Sequence, residues 1–315
     1  MKKALLICVL AFIAFYGVAQ DKTVQDLKKD ASREIKKEKN PADTIPKIWR
    51  TGGLFSLTIN QGALSNWAAG GDKSTLAITS LLSLYAFYKK DKNAWDNTLD
   101  LAYGFVNTTS LGNRKADDRI DFLSKYGYEV APKWYLGALF NFRSQFTKGY
   151  SYPSGDGPKV LTSDFAAPAY VLLSLGIDYK PNNDFSLFMS PITSRWVIVT
   201  NDILSAAGAY GVDSGKKSKN EIGAYISANY NKNISETATF KTRLDLFSNY
   251  KQNPQNIDVY WTNILAVKVW KIISMNLSLD MIYDDDTKSV DKDGLPAGPK
   301  VQIKELLGIG LAVKW

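Results

Sequence analysis

The stretch VQIKELLGIGLAVKW, residues 301–315, closes the chain and decides its fold. Val301, Ile303, Leu307, Ile309, Leu311, Val313 and Trp315 share one parity, while Gln302, Lys304, Gly308, Gly310, Ala312 and Lys314 share the other. A period of two sends successive side chains to opposite faces of a strand, so one face is apolar and the other polar or small. Glu305 breaks the pattern, as an acid among the apolar positions. It is expected either at a rim, where a lipid-facing charge costs little, or ahead of the strand's start.

Working back from this stretch, eleven more segments alternate in the same way: Leu54–Gln61, Thr75–Tyr88, Ala94–Val106, Arg119–Ala131, Trp134–Thr147, Ala169–Tyr179, Asp184–Val199, Glu221–Asn231, Thr237–Tyr250, Ile257–Val269 and Ser274–Asp284. Most reach the roughly nine to eleven residues that a tilted strand needs to cross hydrocarbon. Pro191 interrupts the seventh segment and predicts a bend or bulge there. Twelve segments predict an all-β chain, a transmembrane antiparallel up-and-down barrel of about twelve strands.

The connections agree. Lys89–Asn93, Pro132–Lys133, Lys180–Asn183, Lys232–Glu236 and Trp270–Ile273 are short. Gly62–Ser74, Asn107–Asp118, Lys148–Pro168, Thr200–Asn220, Lys251–Asn256 and Asp285–Lys300 are mostly long and rich in turn-forming residues. Short turns at one end and longer loops at the other characterise outer-membrane barrels, and an even strand count puts both termini on the short-turn side. A soluble sandwich would also alternate, but it needs no aromatic belts on its outer face. Here Trp95, Tyr103, Phe105, Tyr126, Tyr128, Trp134, Phe142, Phe146, Trp261, Tyr283 and Trp315 sit near segment ends on the apolar parity. Their amphipathic rings suit the two membrane interfaces.

Residues 1–19 read as a secretory signal peptide, with Lys2 and Lys3, an apolar run from Ala4 to Tyr16, and a small-x-small site at Gly17-Val18-Ala19. The single cysteine, Cys8, lies within it, so neither disulfides nor thiolate metal sites are expected in the mature chain. Residues 20–48 are charge-dense with a thin apolar stripe. They predict a short periplasmic leader, helical or disordered, and a candidate docking segment for a periplasmic partner. The barrel is expected over residues 49–315. The formal charge of +8 falls to +6 without Lys2 and Lys3, and the basic residues are interleaved with acids, which argues against nucleic-acid binding.

Parity also sorts the charges. Asp96, Asp100, Arg119, Asp121, Lys125, Glu129, Arg143, Lys241, Arg243, Asp245, Asp258, Lys268 and Asp280 all oppose apolar neighbours. A lipid-facing Arg or Lys at mid-depth costs about 2–4 kcal/mol, so these groups are expected to line the lumen. They either wet a pore or pair across it, and the mixed signs predict no strong ion selectivity. The chain holds no histidine, the usual general base of barrel enzymes, so no catalytic residue is expected. Asp96 and Asp100 suit salt bridges better than acid–base work. The acidic run Asp284-Asp285-Asp286 with Asp291 and Asp293 fits no calcium loop, and neither a metal nor a cofactor is expected.

The aromatic-ended last strand resembles the final strand of bacterial outer-membrane barrels, an ending that acts as their assembly signal. The resemblance implies outer-membrane lipid and the barrel-assembly machinery as partners, through the strand ending at Trp315. The stretch Gly52 to Asp72, with Leu64-Ser65-Asn66-Trp67-Ala68-Ala69-Gly70-Gly71 at its centre, and the stretch Ala94 to Gly104 resemble a Bacteroidetes outer-membrane family catalogued as a domain of unknown function. That resemblance implies a barrel in the bacterial outer membrane and supplies no catalytic residues. A passive channel for small solutes is the expected function, and a non-conducting structural or assembly barrel with a plugged lumen is the alternative.

Overall fold

The computed structural model describes residues 48–63, 74–152, 158–284, 288–290 and 296–315. The expected signal peptide, the leader up to Lys47, the motif around Trp67 and Asp285, Asp286, Asp291 and Asp293 lie outside the described residues.

Twelve strands form one closed antiparallel barrel. They are β1 (Trp49–Ala63), β2 (Ser74–Lys90), β3 (Asn93–Thr108), β4 (Gly112–Ala131), β5 (Trp134–Ser144), β6 (Ala169–Tyr179), β7 (Phe185–Ile198), β8 (Ser218–Asn233), β9 (Ala238–Asn249), β10 (Ile257–Trp270), β11 (Ile273–Tyr283) and β12 (Gln302–Lys314). Each strand pairs with the next in sequence, and β12 returns to β1. A closed order of strands is how a sheet satisfies its backbone in lipid.

The two faces separate as the alternation requires. Leu136, Leu173, Leu175, Ile192, Ile226, Leu307 and Ile309 are exposed on the outer wall. Exposed aromatics flank this band at both ends: Trp49, Trp95, Tyr126, Tyr128, Trp134, Trp270 and Trp315 near the short turns, and Tyr103, Phe105, Phe146, Tyr250 and Trp261 near the long loops. Ring contacts link the first belt, with Trp49 5.2 Å from Tyr88 and Trp134 4.6 Å from Tyr179. The indole N–H groups find partners on the wall itself. Trp95 donates to Ser124 Oγ at 2.8 Å and Trp261 to Thr242 Oγ1 at 2.9 Å. An apolar environment makes such bonds worthwhile, because no water there could replace them.

One expectation changes and two are narrowed. The connection expected over Asn107–Asp118 is mostly strand: β3 and β4 extend past the apolar band and turn over Thr109–Leu111, with Asn107 Nδ2 donating to Asn113 Oδ1 at 2.7 Å. Gly112, at φ +64°, makes the tight turn possible. The strand β12 starts at Gln302, ahead of Glu305, which leaves the rim alternative: Glu305 faces outward near the long-loop end of the strand, opposite Leu279. Lys268 keeps the lumen parity, registered opposite buried Ser274, but it lies at the short-turn rim of β10, exposed and outside the lumen ion pairs found among the described residues. The expected irregularity at Pro191 is present, as register shifts on both sides of β7.

At the long-loop end, the β5–β6 and β7–β8 connections fold against each other. Helix α1 (Asp202–Ala206) is capped by Asn201, whose side chain accepts from the N–H groups of Ile203 and Leu204. Leu204, Val212, Val199, Val197 and Ala167 form a small buried cluster there. Tyr210 donates its hydroxyl to the Thr162 carbonyl, and burial pushes its pKa up to about 12. The result is a packed cap over the β5–β8 side of the barrel mouth.

Candidate functional site: the bridged lumen

Every second residue of each strand points inward, and the charges carried there meet in tiers. At mid-height Asp121 of β4, Arg143 of β5, and Arg243 and Asp245 of β9 form a ring of two acids and two bases. Arg143 Nε lies 3.2 Å from Asp121 Oδ2, and its Nη2 contacts Asp245. Arg243 reaches Asp121 at 3.3 Å and Asp245 at 3.0 Å. All four side chains are at least four-fifths buried. Neutral groups satisfy the remaining acceptor positions: Asn141 donates to Asp121 at 2.7 Å, Tyr225 to Asp245 at 2.9 Å and Ser227 to Asp245 at 2.7 Å. The Arg143 guanidinium also lies 4.0 Å from the Tyr260 ring centre. Such complete pairing is what permits ions in a poorly hydrated interior.

Beside this ring, Lys241 of β9 reaches Asp100 of β3 at 2.9 Å. These strands stand six apart in a barrel of twelve, so the pair crosses the full lumen. Towards the short turns, Lys125 meets Asp178 at 2.8 Å and Lys180 meets Asp96 at 2.5 Å, while Tyr135 donates to Glu129 at 3.3 Å. Towards the long loops, Arg195 bridges Glu221 at 2.5 Å and Asp258 at 2.7 Å. Arg119 reaches Asp280 at 3.4 Å, and Lys304 reaches Asp117 at 2.7 Å. Leu123, Leu139, Leu172, Phe188, Tyr225 and Phe247 fill the lumen between these tiers on the β4–β9 side. The lumen is thus a packed polar and apolar interior on one side. The Asp100–Lys241 side keeps more exposure, with Lys241 31% and Asp100 18% accessible.

Above the central ring lies a cavity of about 450 Å³, walled by residues including Arg119, Arg143, Tyr170, Arg195, Tyr260, Asp280 and Lys304. Asp121 and Asp245 form its floor, and it sits in the half of the barrel that carries the long loops.

Sequence reasoning missed Asp117, Asp178, Lys180, Arg195, Glu221 and Lys304 as members of these tiers. Asp117 and Lys180 fall in expected connections, whereas strand extension and side-chain length bring them inside. Arg195 was hidden by the register shift beside Pro191: Ser190 and Thr193 are both buried, so parity flips between them. Asp96 and Asp100 are each held by a lysine, the arrangement of structural ion pairs. Among the described residues no group of three or more acids or other donors is placed to hold a metal.

Residues 59–150 match a family model described as a protein of unknown function, DUF3078, and residues 172–294 match a second, described as a protein of unknown function, DUF481. Both are families of unknown function, and that is the level at which the sequence resemblance is met. No curated protein matches the chain. Among solved structures, an outer membrane channel from Pseudomonas putida F1 is 13% identical, with 87% of this chain and 99% of that one covered and a TM-score of 0.37. The NanC porin is 10% identical over 82% of this chain and 98% of its own, with a TM-score of 0.36. The P. putida toluene transporter TodX is 12% identical over 87% and 92%, with a TM-score of 0.29. These likenesses concern the barrel fold alone.

Proposed function

We propose that this chain is a bacterial outer-membrane barrel that passes small solutes passively through a narrow lumen. The start of β1 and the end of β12 lie at the short-turn end, which in this reading is periplasmic, so the long loops and the cavity face outward. The observation that carries the reading is that cavity, with side chains of both signs on its wall and a charge-balanced ring as its floor. A solute entering from outside meets charged donors and acceptors of both signs, which favours uncharged or zwitterionic small molecules over ions of either sign. Beside the floor ring, the partly exposed surroundings of the Asp100–Lys241 pair are the path that water and solute would take.

Liposome swelling tests this. Vesicles holding the protein are expected to swell in glycine or a monosaccharide and to stay unchanged in a trisaccharide. Equal silence towards all of them would remove the pore. A specific observation favours a second reading, a closed structural barrel: Arg243, Arg143 and Lys241 join opposite walls directly, and the floor ring is almost wholly buried. That reading expects no swelling with any solute.

A further inference from the structure

The seam that closes the barrel is paired along only part of its length. Leu54–Thr58 of β1 register with Gly310–Lys314 of β12, which makes five pairs, whereas β1 registers with β2 along all fifteen of its residues. The short-turn end of the seam is tied firmly. Gly53 and Trp315 exchange both backbone hydrogen bonds at 3.1 Å, and the Trp315 ring occupies the space that a side chain on Gly53 would need. Gly310 lets the strands approach, since a Cβ there would lie 2.0 Å from the Leu57 carbonyl oxygen.

Beyond Thr58 the ladder stops. β12 stays registered with β11 as far as Gln302, but among the described residues no registered pair joins it to β1. Side chains still meet just beyond Thr58, since a Cβ on Gly308 would lie 2.1 Å from Thr58 Cγ2 and 3.4 Å from Asn60 Nδ2. The margins of the gap are therefore Gln61–Ala63 and Gln302–Leu307. At about 3.3 Å per residue they are roughly 10 and 20 Å long, a large part of one leaflet of a hydrocarbon core about 30 Å thick. Ile59, Asn60, Gln61 and Gly62 are all exposed, where a paired wall strand would expose every second residue.

What lies on the two sides of the gap gives it a use. Gln302, Ile303 and Lys304 belong to the cavity wall, and Ile303 is also 68% exposed on the lipid parity. One segment therefore borders both the cavity and the membrane. Glu305, the single charge among β12's outward positions, falls within the same margin. Its place is intelligible if water and polar head groups reach that margin. The packed cap belongs to the β5–β8 side of the mouth, and the seam lies between β1 and β12.

We propose that the outer half of the β1–β12 seam is a lateral portal, through which an apolar or amphipathic molecule moves between the outer leaflet and the lumen cavity. Unpaired backbone facing hydrocarbon is strongly unfavourable. A passing amphiphile, or the water that accompanies it, supplies partners to those margins. The portal does not depend on ion conduction, so a silent barrel could still have one, and a conducting barrel could lack it.

Two measurements test the proposal on the mature full chain in phosphatidylcholine vesicles, with folding verified by heat-shifted gel migration. The first is disulfide trapping. Ser56→Cys with Ala312→Cys sits in a registered pair and is expected to cross-link on mild oxidation, because Cα atoms there fall within the about 4.4–6.8 Å that a disulfide needs. Gly62→Cys with Leu306→Cys would be opposite each other only if the same register continued, and is expected to remain reduced. Cross-linking of both pairs would overturn the portal. The second places a bimane label at Leu306→Cys or Asn60→Cys, on the lumen parity beside the gap, and another at Ser83→Cys, on β2, which is paired on both sides. Vesicles of brominated phosphatidylcholine are expected to quench the first two labels and spare the third. Undiminished fluorescence at both Leu306→Cys and Asn60→Cys would show that acyl chains do not reach the lumen side, and would also overturn it.

Discussion

Arg243 shows most plainly what a single lumen residue does. It touches Asp121, Asp245, Asn141 and Tyr225, which come from four strands. Removing one member of a buried ion network leaves its partners uncompensated, at a cost of about 3–5 kcal/mol. Arg243→Ala is therefore expected to lower stability by about that amount, read as an earlier urea midpoint in detergent. Arg143 still contacts both acids, so the loss should fall at the low end of that range. An unchanged midpoint would show that the network adds nothing. Individual inward positions such as Arg243 and Asp121 were readable from parity, because a lysine or arginine in mid-membrane lipid is costly. Their partners were not. That Lys241 meets Asp100 across the lumen depends on barrel diameter and side-chain reach, and a one-dimensional pattern carries neither.

Element by element, the strands were readable and their ends were not. The β6 strand spans Ala169–Tyr179 as the alternation predicts, whereas β4 begins at Gly112 instead of Arg119, because ladder pairing with β3 continues beyond the apolar band. Alternation marks where the membrane face lies, and says little about how far a hairpin extends into water. The shift at Pro191 had the opposite effect: the bulge was foreseen, but the parity flip that turns Arg195 inward behind it was not. At this scale the last strand makes an experimental claim. Trp315 clasps Gly53 through two backbone bonds and ring packing, and we infer that the strand also guides assembly. Deleting Trp315 removes both contributions and is expected to reduce the fraction of chain showing heat-shifted migration in the membrane, and also the yield of refolding in detergent without cellular machinery. Loss in cells with normal refolding in vitro would assign the residue to recognition alone.

For the molecule as a whole, one arrangement links fold to function: an outer wall that alternation makes apolar, and an interior that the same alternation fills with charges in matched tiers. The twelve-stranded barrel followed from the sequence because strand count, loop alternation and aromatic belts are all periodic signals. The degree of lumen closure did not, since it turns on a few long side chains meeting at mid-height. An interior of this size, smaller than that of a sixteen-stranded porin, can be narrowed by one such tier.

Single-channel recording in planar bilayers tests that arrangement most directly. The wild-type barrel is expected to give small, steady, ohmic steps with little preference between cations and anions, and the Arg243→Ala, Lys241→Ala variant, which opens the bridged tier, is expected to give distinctly larger ones. Large steps in the wild type that the double substitution leaves unchanged, or silence in both, would contradict a narrow lumen gauged by its cross-wall ion pairs.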